Sequence, residues 1–240
     1  MKIKNGLIVL KQQTYTHRHK THIDKMKKTN AFHSEFIRIM LNEIINSVIK
    51  HEMQSLVPSP VPSNLQTKDW RKDQPWYKGG KSNECELLQR SQIEEMTGKC
   101  CPKTTMRINK RTRQIKELYN PLTRPDGFDW TEDFDGKQQL VGKDGSMHEL
   151  FYNFKMVCDA GGAQTRSLRE VHSFVEAQLQ ILLIGSHPNA HFVNILDGDQ
   201  SHLRKEQFNH LIGLPEYSNV KEKVFVDDMF AFKNWFQARF

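Results

Sequence analysis

The part of the sequence that most constrains the fold begins at residue 127, where extended and helical patterns alternate. Two extended runs, GFDWTEDFDGKQQLV (127–141) and MHELFYNFKMVC (147–158), flank GKDGS, a segment typical of a hairpin turn. The amphipathic run TRSLREVHSFVEAQLQILLI (165–184) predicts a helix, with Thr165 as its cap. The short apolar run HFVNIL (191–196) then predicts a buried strand.

The rest of this region continues the alternation. A helical pattern covers SHLRKEQFNHLI (201–212), KVFV (223–226) is typical of a strand, and DMFAFKNWFQARF (228–240) predicts a final helix. A strand pair followed by helix, strand, helix, strand and helix indicates the α/β class. We therefore expect a mixed β-sheet flanked by helices.

The first half of the chain has a different organisation. Apolar residues recur at helical spacing through 31–53, a Pro/Ser-rich segment follows, and 82–99 predicts a shorter helix closed by Gly98. The basic run TTMRINKRTRQIKEL (104–118) is compatible with strand or helix. We expect three regions: a basic arm (1–30), a helical and irregular N-terminal region (31–120) and the α/β core (121–240).

The net charge of +7 is concentrated in the arm, which has eight lysines and arginines against the single acid Asp24. Such arms commonly contact nucleic acid, and the alternatives are a solvated tail or a native start at Met26. No apolar run approaches the roughly 18 residues of a membrane helix, and no signal peptide is indicated. The four cysteines lack the spacing of a zinc site, so we expect an intracellular, cytoplasmic protein without a membrane anchor.

The hairpin predicts a cluster of charged side chains. With the turn centred on residues 143–145, Asp135 lies opposite the segment from Asn153 to Lys155. Residues two apart in a strand share a face, so Asn153 and Lys155 point the same way. A lysine in an apolar strand is unfavourable unless carboxylates or phosphates surround it. Glu170, in the helix that follows, can return to the same place if that helix packs on its own strand.

These residue types suit metal-dependent phosphodiester hydrolysis. Two carboxylates can hold Mg²⁺, which polarises a phosphate and activates water. A lysine beside them can orient that water or stabilise the negative charge that develops on the phosphate. Asn153 occupies the strand position where a second acid is expected, and Glu170 is the candidate to replace it.

The arrangement resembles the PD-(D/E)XK nuclease superfamily and, within it, the type II restriction endonucleases. The matching pieces are an acid in RPDGFDWTEDFDG, the lysine of NFK, and AQTRSLRE at the start of the next helix. A subset of these enzymes has a small polar residue in the Asp/Glu position and its carboxylate on that helix. The resemblance covers about 125–230 and implies a restriction-endonuclease-like core with Mg²⁺-dependent, sequence-specific cleavage of double-stranded DNA. It also implies a homodimer and a cognate DNA methyltransferase that protects the same site.

Carried over by position, the resemblance makes Asp135 a metal ligand, Lys155 the catalytic lysine and Glu170 the relocated ligand, with Asn153 in the catalytic set. Asp129 is a further candidate metal ligand. The Pro–Asp pair of the family pattern is Pro125–Asp126 here. The first acid therefore remains a choice among four residues: Asp126, Asp129, Glu132 and Asp135.

The start of the predicted helix is the expected DNA contact. A Gly-Gly turn lets backbone N–H groups approach a phosphate at a helix N-terminus, which involves Gly162. Gln164 and Arg166 follow directly and can contact phosphates or base edges. We expect a restriction endonuclease. The alternatives are a structure-specific repair or recombination nuclease and a catalytically inactive DNA-binding protein, which the amide at Asn153 favours.

Overall fold

The computed structural model describes residues 62–80, 83–118 and 129–240. The basic arm, the predicted helix at 31–53 and Asp126 lie outside these residues. The helices are α1 (Lys68–Lys72), α2 (Glu84–Thr97), α3 (Gly162–Ile184), α4 (Asp199–Leu203), α5 (Lys205–Ile212) and α6 (Met229–Arg239). The strands are β1 (Met106–Asn109), β2 (Gln114–Glu117), β3 (Gly136–Val141), β4 (Met147–Met156), β5 (Ala190–Asp197) and β6 (Val224–Asp227).

A four-stranded mixed sheet, in the order β3-β4-β5-β6, is the centre of the described fold. β3 and β4 form the predicted hairpin, and their register pairs Gly136 with Tyr152 and Val141 with Met147. The turn is tightly built, because Asp144 accepts a hydrogen bond from the Ser146 N–H (2.9 Å) and Gly145 has a φ of 77°. The fold is therefore of the mixed α/β kind that the sequence predicts.

The other strand pairs are parallel and require crossover connections. β4 pairs with β5 and β5 with β6, and α3 connects β4 to β5. Every residue of β5 is buried, which explains why its sequence does not alternate between apolar and exposed polar residues; Asn194 is buried as well. None of the helices in the described ranges has the length and apolar character that a membrane crossing demands.

Hydrophobic cores lie on both faces of the sheet. The buried face of α3, including Leu168, Val171 and Phe174, packs in a core with Phe151 and Phe192. On the other face, a second core joins Ile93 of α2 and Phe232 of α6 to three side chains of β4, namely Leu150, Tyr152 and Phe154. The alternation along β4 therefore turns Phe151, Asn153 and Lys155 towards the α3 side.

Several local expectations differ from the structure. α3 begins at Gly162 with Gly161 as N-cap, so Thr165 lies in the first turn and is not the cap. The predicted helix at 201–212 is two helices, because the chain breaks at Arg204, whose φ is −107°. The ambiguous run 104–118 forms the antiparallel β1–β2 hairpin.

The first extended run bonds to both hairpins. β3 starts only at Gly136, because Thr131 and Phe134 bond to β1, whereas Asp135 extends the ladder with β4. The Thr131 N–H donates to the Ile108 carbonyl (2.9 Å), and the Phe134 N–H donates to that of Met106 (2.9 Å). The compact unit that holds the sheet spans Val61–Phe240, so α2 and the β1–β2 hairpin belong to it.

Candidate active site

Lys155 lies near the carboxyl end of β4, on the α3 face of the sheet. Its side chain is 27% exposed, and Nζ is 3.0 Å from Oε2 of Glu132. Burial lowers the pKa of Lys155, but the charge and hydrogen bond of Glu132, together with the charges of Asp135 and Glu170, outweigh it and raise the pKa. Lys155 is therefore a protonated ammonium group that three acids stabilise.

Asp135 lies next to Lys155 because the hairpin ladder continues one residue beyond the Gly136–Tyr152 pair. Its N–H donates to the Tyr152 carbonyl (2.8 Å), and its Oδ2 accepts the Phe154 N–H (2.6 Å). Burial raises the pKa of Asp135 to about 6, although the Phe154 N–H and the charge of Lys155 act in the opposite direction. A carboxylate with this environment would gain from a nearby cation.

Glu170 is exposed on the third turn of α3. Its charge helps to raise the pKa of Lys155, so the helix brings this acid within electrostatic range of the strand. No ion pair joins Glu170 to Arg166 in the part of the chain that the structure describes.

Asn153 is buried and holds structural elements together. Its Nδ2 donates to Oδ1 of Asn194 on β5 (3.2 Å), and Asn194 exchanges two hydrogen bonds with Gln178 of α3, at 2.8 and 3.1 Å. The amide at this position fits this neutral, polar contact beneath α3, where an unpaired carboxylate would be costly. A direct role for Asn153 in catalysis stays a prediction.

The candidates for the first acid occupy different places. Asp129 pairs with Arg111 of the β1–β2 turn, with 3.1 Å between Oδ2 and Nε, and its carbonyl accepts the Lys110 N–H. Glu132 contacts Lys155 directly but is largely exposed, with 55% of its side chain accessible. Asp135 is half-buried and lies beside Lys155, whose pKa its charge helps to raise. The structure thus groups Asp135 and Glu132 with Lys155 and assigns Asp129 to the hairpin.

The expected DNA contacts lie in the first turn of α3. Gly162 is exposed, and a Cβ added there would meet open space. A Cβ at Gly161 would lie 2.5 Å from Oε1 of Gln164, so the Gln164 side chain folds back over the helix start. Arg166 is exposed. Gly162 and Arg166 are accessible to a large ligand, whereas Gln164 is half-buried, and the contact of all three with DNA stays a prediction.

Sequence reasoning missed a supporting residue on α2. Gln89 is fully buried, and its Nε2 donates to the Lys155 carbonyl (3.1 Å) and to Oδ2 of Asp197 (2.7 Å). Asp197 also accepts the Met229 N–H (3.0 Å), and burial raises its pKa. This contact fixes the backbone at Lys155. Its one sequence signal is the position of Gln89 one turn before the buried Ile93 on α2.

The carboxylates of this site can supply only some of the oxygen ligands of a Mg²⁺ ion. Within residues 62–80, 83–118 and 129–240, no group of three or more histidines, cysteines and acids is arranged to hold a metal ion. Mg²⁺, however, commonly binds through one or two carboxylates and completes its shell with waters and substrate phosphates. Asp135 and Glu170 carry hard oxygen ligands of the type that Mg²⁺ prefers, so the chemistry of these side chains suits the ion, and their sharing of one ion stays a prediction.

Comparisons with protein-family models, with curated proteins and with solved structures find no match for this chain. A functional assignment therefore depends on the site itself.

Proposed function

We propose that this protein is a Mg²⁺-dependent endonuclease that hydrolyses phosphodiester bonds of double-stranded DNA at specific sequences, as type II restriction enzymes do. The observation that carries the proposal is the environment of Lys155. This strand lysine has Asp135 and Glu132 beside it and Glu170 within electrostatic range. More than one carboxylate surrounds this single ammonium group. The additional carboxylates can bind a metal ion, and the ammonium group can stabilise negative charge on a phosphate, which are the two functions that phosphate cleavage uses.

Each residue has a role in this reaction. Asp135 and Glu170 would hold the ion, with Asp135 ionised above its pKa of about 6. The bound Mg²⁺ would polarise the scissile phosphate and make a water more acidic. Lys155 would orient the attacking water and stabilise the negative charge that accumulates on the phosphate oxygens. A single attack by water in line with the leaving group inverts the configuration at phosphorus.

The position of the site in the fold is consistent with this assignment. A hairpin leading by a helix to a parallel strand carries the site near the carboxyl ends of β4 and β5, a common position for ligands in α/β sheets. The PD-(D/E)XK resemblance adds a homodimer, a cognate methyltransferase and an intracellular location to the proposal. The start of α3, with the exposed Gly162 and Arg166 and the half-buried Gln164, is the proposed contact to the DNA backbone.

Digestion of a long duplex DNA of known sequence tests the proposal. We expect the purified chain to give discrete fragments with Mg²⁺ at pH 8 and none with EDTA. The Lys155→Ala variant should remain folded, as circular dichroism can check, and should cut at least about 100-fold more slowly than wild type. A variant at another half-buried lysine of the same sheet, Lys137→Ala, is the matched control, because its side chain is also 27% exposed.

The pattern of products distinguishes the competing functions. Smears, or nicks confined to branched substrates, would indicate a structure-specific repair or recombination nuclease. Binding of duplex DNA without cleavage in Mg²⁺ or Mn²⁺ would indicate an inactive DNA-binding protein. Cleavage by Lys155→Ala at the wild-type rate would remove the catalytic assignment altogether.

A further inference from the structure

The β1–β2 hairpin is strongly basic, and none of its residues has a role in the proposed cleavage reaction. Residues 106–117 contain five lysines and arginines against one acid, Glu117. The basic arm (1–30) accounts for the whole net charge of +7, so the chain after it is neutral overall. Two of these cations are paired with acids of the adjoining segment, Arg107 with Asp133 and Arg111 with Asp129. Lys110 and Lys116, by contrast, are exposed on the ribbon.

The two faces of the hairpin have different environments. Ile108 is fully buried in the core beneath α3, and Ile115 packs partly against the same core. The opposite face carries Arg107 and Lys116 as a cross-strand pair. Lys116 is exposed, whereas Arg107 is held by Asp133 and by the Thr131 carbonyl (3.1 Å). One face thus anchors the ribbon, and the other presents Lys116 to the solvent beside the ion-paired Arg107.

The turn of the hairpin is preformed. Oδ1 of the buried Asn109 accepts the N–H groups of Arg111 (3.0 Å) and Thr112 (2.8 Å), and the Arg113 N–H donates to the Asn109 carbonyl (2.8 Å). Arg113 adopts a φ of 54°, which closes the turn. Lys110 is exposed at this tip. A rigid tip loses little conformational entropy when it contacts a ligand.

The hairpin is attached to the segment that leads to Asp135. Thr131 binds β1 twice: its N–H donates to the Ile108 carbonyl (2.9 Å), and its Oγ1 accepts the Ile108 N–H (2.9 Å). The Phe134 N–H, one residue before Asp135, donates to the Met106 carbonyl (2.9 Å). The position of the ribbon is therefore fixed relative to the candidate catalytic acid.

From these observations we infer that the β1–β2 hairpin is a DNA-reading element that enters the major groove beside the cleavage site. The inference rests on the proposed function, since it takes duplex DNA as the substrate. The major groove of B-form DNA, about 12 Å wide, admits a two-stranded ribbon, whereas that of A-form RNA is too narrow. Lys110 and Lys116 contact phosphates on the groove walls, and the exposed Thr112 and Gln114 face base edges.

Equilibrium binding of a labelled duplex DNA to the full chain in EDTA tests this inference without requiring catalysis. The test variant is Lys110→Ala/Lys116→Ala. The control is Lys221→Ala/Lys233→Ala, which removes the same charge from exposed positions on the turn Lys221–Lys223 and on α6. We expect the test variant to bind at least about tenfold more weakly, with a salt dependence reduced by about one for each phosphate that the variant no longer neutralises. The control should stay within about twofold of wild type.

Each outcome decides between the two proposals. Equal weakening in both double variants, or none in the hairpin variant, would overturn the inference while leaving the nuclease assignment standing. Tighter binding of duplex RNA than of duplex DNA would overturn it as well. Hairpin-dependent DNA binding with no cleavage in Mg²⁺ would sustain the reading role of the hairpin and remove the nuclease assignment.

Discussion

Two lysines on the same face of the central sheet have contrasting surroundings. Lys137 on β3 and Lys155 on β4 are each 27% exposed and each contact one glutamate, at 2.7 Å from Glu149 and 3.0 Å from Glu132. Lys137 also lies 5.0 Å from the centre of the Phe151 ring. By exposure and pairing alone, the two lysines are equivalent.

The acids around these lysines make the difference. Lys137 hydrogen-bonds Glu149 and lowers its pKa, as expected of a balanced ion pair. At Lys155, burial raises the pKa of Asp135 to about 6, and Glu170 adds a further negative charge. One site is neutral as it stands, whereas the other has an excess of negative charge that a divalent cation can balance. This comparison distinguishes a structural ion pair from a candidate catalytic site.

Replacement of the two lysines should give the largest contrast. We expect Lys155→Ala to reduce the rate of DNA cleavage about 100- to 1,000-fold, because it removes a charge that stabilises the transition state. Lys137→Ala should leave the rate within about twofold and affect only stability, by about 1 kcal/mol. Single-turnover cleavage of a short duplex that contains one mapped site measures both. Equal reductions of the cleavage rate in the two variants would show that Lys155 has no specific role in cleavage.

The acids provide the next contrast. Glu170→Ala should reduce cleavage by about 100-fold, since the loss of a metal ligand removes several kcal/mol of charge stabilisation. Glu149→Ala, which alters the partner of Lys137, should cleave normally. Thermal unfolding gives an independent measurement, because Mn²⁺ should raise the Tm of wild type and of Glu149→Ala but not that of Glu170→Ala. A Mn²⁺ effect that survives in Glu170→Ala would exclude this residue as a ligand.

The pH dependence of stability should have opposite signs at the two sites. Because the pKa of Asp135 is raised, its contribution to folding is present at low pH and is lost as the pH rises through about 6. Without metal, Asp135→Asn should therefore be more stable than wild type at pH 8, by at most about 3 kcal/mol, and similar to it near pH 4.

Glu149 supplies the control for that experiment. Its pKa is lowered, so its stabilising contribution is present above the unfolded value of 4.5 and is lost as the pH falls through the folded value. Glu149→Gln should be slightly less stable than wild type at pH 8, by under about 1 kcal/mol. Denaturant unfolding at several pH values measures both variants. A destabilised Asp135→Asn at pH 8 would argue that Asp135 is a structural residue.

Glu132 should give the smallest effect. Its carboxylate pairs with Lys155 but is 55% exposed, so Glu132→Gln should change stability by less than about 1 kcal/mol. We expect a change in cleavage rate of less than about tenfold, because Asp135 and Glu170 remain in place. If Glu132 were the first metal ligand instead of Asp135, cleavage by Glu132→Gln would be abolished. The same assay thus decides which acid holds the metal.

Local patterns predict the elements of this site well. The GKDGS turn fixes the hairpin register, and strand alternation then places Asn153 and Lys155 on one face. The amphipathic pattern of α3 turns Leu168 and Val171 towards the sheet. These features depend on neighbours in sequence, so they can be read from the chain alone.

Other features depend on contacts between distant segments. The hydrogen bonds of Thr131 and Phe134 to β1 limit the length of β3, and Asp129 lies beside the β1–β2 turn. No local periodicity in the sequence predicts these contacts. Gln89 reaches the Lys155 carbonyl across 66 positions of sequence. The break at Arg204 interrupts a pattern that is locally compatible with one helix. Tertiary contacts of this kind override local propensity, and they separate Asp129 from Asp135 and Glu132, which lie beside Lys155.

The central claim is that Asp135 and Glu170 hold one divalent ion beside Lys155. The most direct test is a crystal structure at pH 8, where Asp135 is ionised, with Mn²⁺ located by its anomalous scattering. The account predicts a peak at a bonding distance of about 2.1 Å from carboxylate oxygens of both Asp135 and Glu170. A Mn²⁺ ion bound elsewhere, or carboxylates of Asp135 and Glu170 too far apart to share one ion, would contradict it.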